Sequence, residues 1–209
     1  PGPVPLNKAE LFKQTANMWR ITDDFWDKWE LLYDMFDRTE KWCTHTGFGT
    51  YPDADMLPVG AILQDYGPDN RTKFTENEQY TMLTLWCIFR SPLMIGGELT
   101  KLDDFTTKLL TNEGILKMHR NARHSHQVWR KEINGCEHIL WVASGAEGGF
   151  YAAIFNAGES DSEIEISLTD LEIYDAVKGE ELWSGEKVNF EEKIKVSLEK
   201  HGAKAFYFE

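Results

Sequence analysis

The chain has 209 residues and carries 35 acidic against 22 basic side chains, a net charge of −13 with histidine neutral. A negative field repels phosphate backbones and anionic lipid surfaces, so the charge argues against nucleic-acid and membrane binding. Hydrophobic residues make up 42% and charged residues 27%, which is typical of a globular domain. No apolar run of about 18 residues is present to span a bilayer. The expected ligand is therefore neutral or small.

Cysteine and histidine patterns indicate neither a disulfide framework nor a metal site. The three cysteines lie far apart without CxxC spacing, and the pair His124 and His126 has no carboxylate or thiol at ligand spacing. We therefore expect buried thiols, no bound metal and no cofactor. The eight tryptophans are more informative, because flat aromatic faces stack on sugar rings or on bases. Since the charge argues against bases, the composition favours a sugar ligand.

The first 120 residues contain three predicted helices. Apolar side chains recur with helical spacing over residues 25–36 and predict a first helix that ends before Cys43. A capping box at residues 75–78 predicts a second helix that runs to about Arg90. A third helix is predicted over residues 103–110.

Short apolar segments alternate with these helices. Segments 16–21 and 51–59 precede the first two helices, and the run 93–95 is predicted to be a strand buried on both faces. Such alternation is typical of parallel βα units in a doubly wound sheet or a (β/α)8 barrel. A closed barrel needs roughly 250 residues. Three units therefore indicate either a small open sheet or one part of a larger protein.

After residue 121 the hydrophobic period changes from the helical value to two. Residues 163–168 and 194–198 alternate strictly, and glycines mark turns between the apolar runs. The pattern predicts an antiparallel β-sandwich of about eight short strands. The predicted strands are 127–133, 138–143, 150–155, 163–168, 172–176, 181–183, 193–198 and 203–208.

The densest polar and aromatic cluster, residues 19–27, lies where a strand leads into a helix, which is the catalytic end of βα architectures. Side chains two apart share one side of an extended segment, so Arg20, Thr22 and Asp24 point the same way. A guanidinium and a carboxylate can thus converge on one ligand. The structural alternative is that Asp23 or Asp24 caps the helix while Arg20 pairs with an acid.

A second cluster occupies residues 51–60. Asp53 and Asp55 share a side of the segment, so two carboxylates can face one cavity while Met56 packs alongside. The structural alternative is an Asx-turn, in which an aspartate side chain binds its own backbone. The spacing alone leaves both interpretations open.

Taken together, three ordered segments resemble a known family. They are WRITDDFWDKW, then PDADMLPVG about thirty residues later, and LTLWCIFRSPLMIGG. They resemble glycoside hydrolase family 27, the melibiase group of α-galactosidases and α-N-acetylgalactosaminidases. In that family these motifs belong to strands six, seven and eight of a (β/α)8 barrel, which an antiparallel sandwich follows. The implied fold class is α/β, with the C-terminal part of a TIM barrel (about strands 6–8) in residues 1–120 and a β-sandwich in residues 121–209.

The resemblance also assigns site residues. The family's general acid/base falls on Asp24, and Arg20 matches the arginine that contacts the sugar hydroxyls beside it. Asp55 and Met56 match a carboxylate and a methionine that line the galactose pocket. Ala54 stands where the family usually has proline, which indicates a divergent subgroup. No metal or cofactor is implied.

The implied reaction is retaining hydrolysis of terminal α-linked galactose or N-acetylgalactosamine through a covalent glycosyl-enzyme. The family's nucleophile lies in a Lys-Tyr-Asp-like motif on strand four, and the sequence contains no such motif. We therefore expect a C-terminal portion that is inactive alone. Its expected partners are a galactose-type carbohydrate and the N-terminal half of the barrel, from the same parent chain or a companion chain. The alternative is a non-catalytic carbohydrate-binding protein of the same fold.

Overall fold

Parallel strand segments lie side by side in the N-terminal part of the structure. The computed structural model describes residues 2–62, 70–171, 173, 175 and 177–209. Strand β1 (Met18–Arg20) pairs in parallel with β2 (Tyr51–Asp53), which places Arg20 opposite Asp53. Leu57 forms a further parallel bridge with Ile95. The parallel arrangement predicted from the sequence is therefore confirmed for these segments.

The helices follow the predicted order, with one boundary in error. Helix α2 begins at residue 29 rather than 25, because the Lys28 amide donates to the Trp26 carbonyl oxygen (2.8 Å), two residues back, and residues 21–28 are non-helical. The predicted capping box is present, since Thr75 and Glu78 each bind the other's backbone amide. The described helices are α1 (Ala9–Thr15), α2 (Trp29–Trp42), α3 (Glu76–Phe89), α4 (Asp104–Leu110) and α5 (Glu113–Asn121). Helices α1 and α5 were not predicted.

The prediction of a strand buried on both faces at residues 93–95 is wrong. Met94 is 39% exposed and Ile95 is 43% exposed. Ile95 bridges to Leu57 on one side, and no other described residue forms a β-bridge with it. Met18 on β1 is likewise 50% exposed. The parallel segments therefore present apolar side chains to solvent.

The remaining strands form two antiparallel sheets. They are β3 (Ala122–Ile133), β4 (Cys136–Gly145), β5 (Phe150–Asn156), β6 (Ser162–Ser167), β7 (Val177–Glu181), β8 (Lys187–Phe190), β9 (Lys193–Leu198) and β10 (Ala203–Phe208). The larger sheet has the order β3-β4-β5-β10-β7-β8, and β6 pairs with β9 in the smaller one. The predicted antiparallel β-domain is confirmed.

Two of the predicted strands are not confirmed by the structure. Residues 172, 174 and 176 of the predicted strand 172–176 lie outside the described residues. The predicted strand 181–183 is wrong, because β7 ends at Glu181 and its carboxylate accepts hydrogen bonds from the amides of Trp183 and Ser184. These bonds turn the chain into β8, which was not predicted.

Because side chains alternate along its strands, the larger sheet has a hydrophobic core on each of its two faces. One face packs on the smaller sheet, as Leu140 and Ile154 meet Ile164 and Val196. The other face packs on the helices, where the rings of Phe36 and Phe155 meet at 5.1 Å. The sandwich is thus bound to the helical part by a continuous apolar core. None of the described helices is long and apolar enough to cross a membrane.

His201 adds a polar contact between the two parts. Its Nδ1 lies 2.8 Å from Glu78 Oε1 on α3, and its Nε2 lies 3.3 Å from Glu159 Oε1. The ring stacks on Trp29 with centroids 3.5 Å apart. The His201 backbone is left-handed, with φ of 56°.

Replacing His201 by asparagine should lower the free energy of unfolding by about 1–3 kcal/mol, because the buried Glu78 carboxylate loses a hydrogen-bond partner. Asparagine tolerates the left-handed backbone, so the loss reports the side-chain contacts. His124→Asn is the matched control, since His124 is also left-handed (φ 53°) but exposed. Urea denaturation should show a change within about 0.5 kcal/mol for the control. Equal losses in both variants would contradict the contact between the two parts.

Candidate active site

An ion pair joins the carboxyl ends of β1 and β2. Arg20 is the last residue of β1, and Asp55 follows β2 by two residues. Because parallel strands end at the same edge, their terminal side chains meet there. Arg20 Nη2 lies 2.7 Å from Asp55 Oδ2 and donates to the carbonyl oxygen of Asp23 (2.6 Å). The expected pairing of Arg20 with an acid is confirmed.

Asp24 lies at the exposed side of this ion pair. Its Oδ1 is 3.6 Å from Arg20 Nη2, and its side chain is 86% exposed. Helix α2 has Lys28 at its N-cap position with no side-chain capping bond, so the alternative in which Asp23 or Asp24 caps that helix is wrong. The structure brings Arg20, Asp24 and Asp55 together, and it leaves the Asp24 carboxyl open to solvent.

Asp55 is held in a left-handed backbone conformation (φ 78°), which is uncommon for a residue other than glycine. Its amide donates to Asp53 Oδ1 (2.9 Å), and its carbonyl accepts from Trp86 Nε1 (2.9 Å). Its carboxylate accepts from Arg20 and from the Phe25 amide (2.8 Å). The Asx-turn is therefore confirmed for Asp53, while Asp55 alone points to Arg20.

Met56 packs into space that a glycine leaves open. A Cβ at position 96 would lie 2.5 Å from Met56 Sδ, so Gly96 allows the thioether to approach the backbone. Ser91 Oγ accepts a hydrogen bond from the Ala54 amide (2.9 Å). Ser91 and Gly96 both belong to the third sequence motif, LTLWCIFRSPLMIGG. Sequence reasoning missed Trp86, Ser91 and Gly96 as supports of the second cluster.

The electrostatics of the site favour hydrogen bonds to hydroxyl groups. Two carboxylates lie near one guanidinium, and Arg20 Nε is buried with no hydrogen-bond partner among the described residues. Such a set can donate to and accept from a polyhydroxylated ligand, while Asp24 can exchange a proton. Within the described ranges, no group of three or more His, Cys, Asp or Glu side chains is placed to hold a metal ion.

Asp53 is the buried carboxyl of the site, with 2% of the residue exposed. Burial raises the pKa of this carboxyl, and the charge of Asp55 acts in the same direction. The hydrogen bond from the Asp55 amide and the charge of Arg20 oppose the increase in pKa. The folded chain therefore holds the Asp53 proton to a higher pH than the unfolded chain does.

We expect Asp53→Asn to gain stability relative to the unsubstituted chain as the pH rises above the ordinary aspartate range. The unsubstituted chain loses folding free energy through that window, because its unfolded state releases the proton first, and asparagine does not titrate. Urea denaturation from about pH 3 to about pH 7 measures the difference. A difference independent of pH would contradict the raised pKa. Asp53→Ala should show the same pH dependence but be about 1–3 kcal/mol less stable than Asp53→Asn, because it leaves the Asp55 amide without its acceptor.

Comparison with known proteins identifies the family. The family model described as alpha galactosidase A matches residues 4–121, and the alpha galactosidase C-terminal beta sandwich domain matches residues 135–208. The first match alone covers more than half of the chain. The chain therefore belongs to glycoside hydrolase family 27, the melibiase family, and is related to glycosidases along its length.

Solved structures show the same relationship. A family 27 β-L-arabinopyranosidase from Geobacillus stearothermophilus is 46% identical, with a TM-score of 0.92, over all of this chain and 48% of that chain. A putative α-N-acetylgalactosaminidase from Bacillus halodurans is 36% identical, with a TM-score of 0.81, over the same shares. Alpha-galactosidase D of Emericella nidulans is 25% identical over 84% of this chain and 25% of that protein. The chain thus spans between a quarter and a half of these relatives.

Proposed function

We propose that the chain is the C-terminal portion of a retaining glycoside hydrolase that releases terminal α-linked galactose or N-acetylgalactosamine. The observation that carries the proposal is the Arg20–Asp55 ion pair beside the exposed Asp24 carboxyl, at the carboxyl ends of two parallel strands. In (β/α)8 enzymes this end of the strands holds the active site. Membership of family 27 supports the reaction class.

In this proposal residues 1–120 supply about strands 6–8 of a (β/α)8 barrel, and residues 121–209 form the sandwich domain. The parallel pairing of β1 with β2 and of Leu57 with Ile95 supports three neighbouring barrel strands. The exposure of Met18 and Ile95 supports the presence of further barrel elements that cover these side chains. A closed barrel buries its strands between helices and inner side chains. The partner that supplies these elements is the N-terminal half of the barrel, in the same parent chain or a companion chain.

The roles of the four site residues are carried over from the family, and their positions support them. Asp24 is the general acid/base, because its carboxyl is accessible and lies beside the hydroxyl-binding groups. Arg20 donates hydrogen bonds to the sugar, and Asp55 accepts them from it. Met56 gives apolar contact to the sugar face. Arg20 and Asp55 fix each other, so the sugar meets groups that are already oriented.

The reaction needs a nucleophile that the N-terminal half supplies. That carboxylate attacks the anomeric carbon while Asp24 gives its proton to the departing oxygen. Asp24 then takes a proton from a water molecule in the place that the leaving group has vacated. This water attacks the anomeric carbon of the glycosyl-enzyme and regenerates the nucleophile. The 209-residue chain alone therefore binds sugar without hydrolysing it.

A β-L-arabinopyranoside is a second candidate substrate. Its ring has the hydroxyl stereochemistry of an α-galactoside but lacks the hydroxymethyl group at C5. The 46% identity to a β-L-arabinopyranosidase favours it, against 36% to the putative α-N-acetylgalactosaminidase. An assay of the full-length parent protein on the 4-nitrophenyl glycosides of all three sugars decides among them. Binding by calorimetry without turnover of any of the three would instead support the non-catalytic alternative.

Asp24→Asn should lower kcat of the full-length protein by about 10²–10⁴, because the amide cannot transfer the proton. The loss should be largest for substrates whose leaving group needs protonation. Asp23→Asn is the matched control, since Asp23 is also exposed and contributes only its carbonyl oxygen to Arg20. Steady-state kinetics of both variants test the assignment. Full activity in Asp24→Asn would refute it, and loss in Asp23→Asn alone would move the role to Asp23.

A further inference from the structure

We propose that a second, non-catalytic sugar-binding cleft lies between α3 and the sandwich. The cleft has a volume of about 760 Å³, within the range of about 300–1,000 Å³ that ligand pockets occupy. Its walls come from the first turns of α3, the turn after β7 and the strand ends around β9 and β10. It shares no residue with the Arg20–Asp55 site. The proposal therefore does not rest on the proposed hydrolysis.

Two aromatic rings in fixed orientations line the cleft. Tyr80 and Trp183 meet edge to face with centroids 4.6 Å apart. Trp183 Nε1 donates to Thr84 Oγ1 (3.0 Å), which ties the ring to α3. Both side chains remain partly exposed. Flat aromatic surfaces held in place in this way bind the C–H face of a pyranose ring at little cost in conformational entropy.

Polar groups without a protein partner line the same cleft. Within the part of the chain that the structure describes, the Tyr80 hydroxyl, the Glu199 carboxylate and the Lys204 ammonium make no hydrogen bond or ion pair. Glu181 differs, because its carboxylate accepts hydrogen bonds from the amides of the turn that follows it. The cleft thus offers one cationic donor, one anionic acceptor and one hydroxyl beside the aromatic surface. Sugar hydroxyls both donate and accept, so they match this mixture.

The charge of the lining selects among polar ligands. Four acidic residues and one lysine contribute to it, which are Asp161, Glu163, Glu181, Glu199 and Lys204. The excess of negative charge disfavours phosphorylated or carboxylated ligands. A neutral pyranoside fits both the charge and the aromatic surface. The inferred role is to hold a neutral carbohydrate chain at the sandwich, apart from the Arg20–Asp55 site.

The test measures sugar binding after the first site has been removed. In the full-length protein, Arg20→Ala removes the main sugar contact of the proposed active site and leaves the cleft intact. Ligand-observed saturation-transfer NMR with methyl α-D-galactopyranoside should still detect binding to this variant. Adding Glu199→Gln and Lys204→Ala should weaken the remaining binding by about tenfold. Galactose 1-phosphate should bind this cleft more weakly than the neutral glycoside.

Glu192→Gln with Lys178→Ala is the matched control. It removes the same two charges from exposed positions of the sandwich outside the cleft, and it should leave binding unchanged. The cleft variant, made without Arg20→Ala, should hydrolyse 4-nitrophenyl glycosides as the unsubstituted protein does, which separates this proposal from the proposed function. Absence of binding in Arg20→Ala, or equal binding by the cleft and control variants, would overturn the cleft. Unchanged thermal unfolding verifies that both variants fold.

Discussion

The ion pair between Arg20 and Asp55 is the contact on which the organisation of the site depends. It joins the ends of two parallel strands that are more than thirty residues apart in sequence. Asp55 reaches Arg20 only because its backbone is left-handed, and the Asp53 side chain and the Trp86 indole hold it there. The cost of the uncommon backbone is offset by these hydrogen bonds. The Asp55 carboxylate is therefore positioned by hydrogen bonds to its own backbone groups.

The same ion pair also shapes the chain around it. Asp55 accepts a hydrogen bond from the Phe25 amide, and residues 21–28 stay non-helical up to Trp29. Asp24 lies in this non-helical segment, next to Arg20 and with its side chain exposed. In a helix that started at residue 25 the Lys28 amide would donate four residues back, but it donates to the Trp26 carbonyl oxygen (2.8 Å) instead. The late start of α2 therefore leaves the Asp24 carboxyl outside the helix.

Sequence periodicity predicted the parallel segments, the α3 capping box and most sandwich strands, because each leaves a regular pattern in residues that are close in the chain. It failed where the structure depends on contacts that an apolar pattern does not show. The start of α2 follows a turn between Trp26 and Lys28, and β7 ends where the Glu181 carboxylate accepts hydrogen bonds from the amides that follow it. The roles of Ser91 and Gly96 needed the fold, since each supports a segment about forty residues earlier. For Asp53 and Asp55, spacing alone did not tell the turn-forming carboxylate from the ligand-facing one.

The exposed edge at Met94 and Ile95 has a consequence for handling the chain. Backbone groups along a strand edge pair with any other extended segment that reaches them, and apolar side chains beside the edge strengthen that contact. A preparation of these residues by themselves should therefore self-associate through this edge as concentration rises. Covering the edge with a complementary strand would keep the chain monomeric. The oligomeric state in solution therefore indicates whether another strand covers this edge.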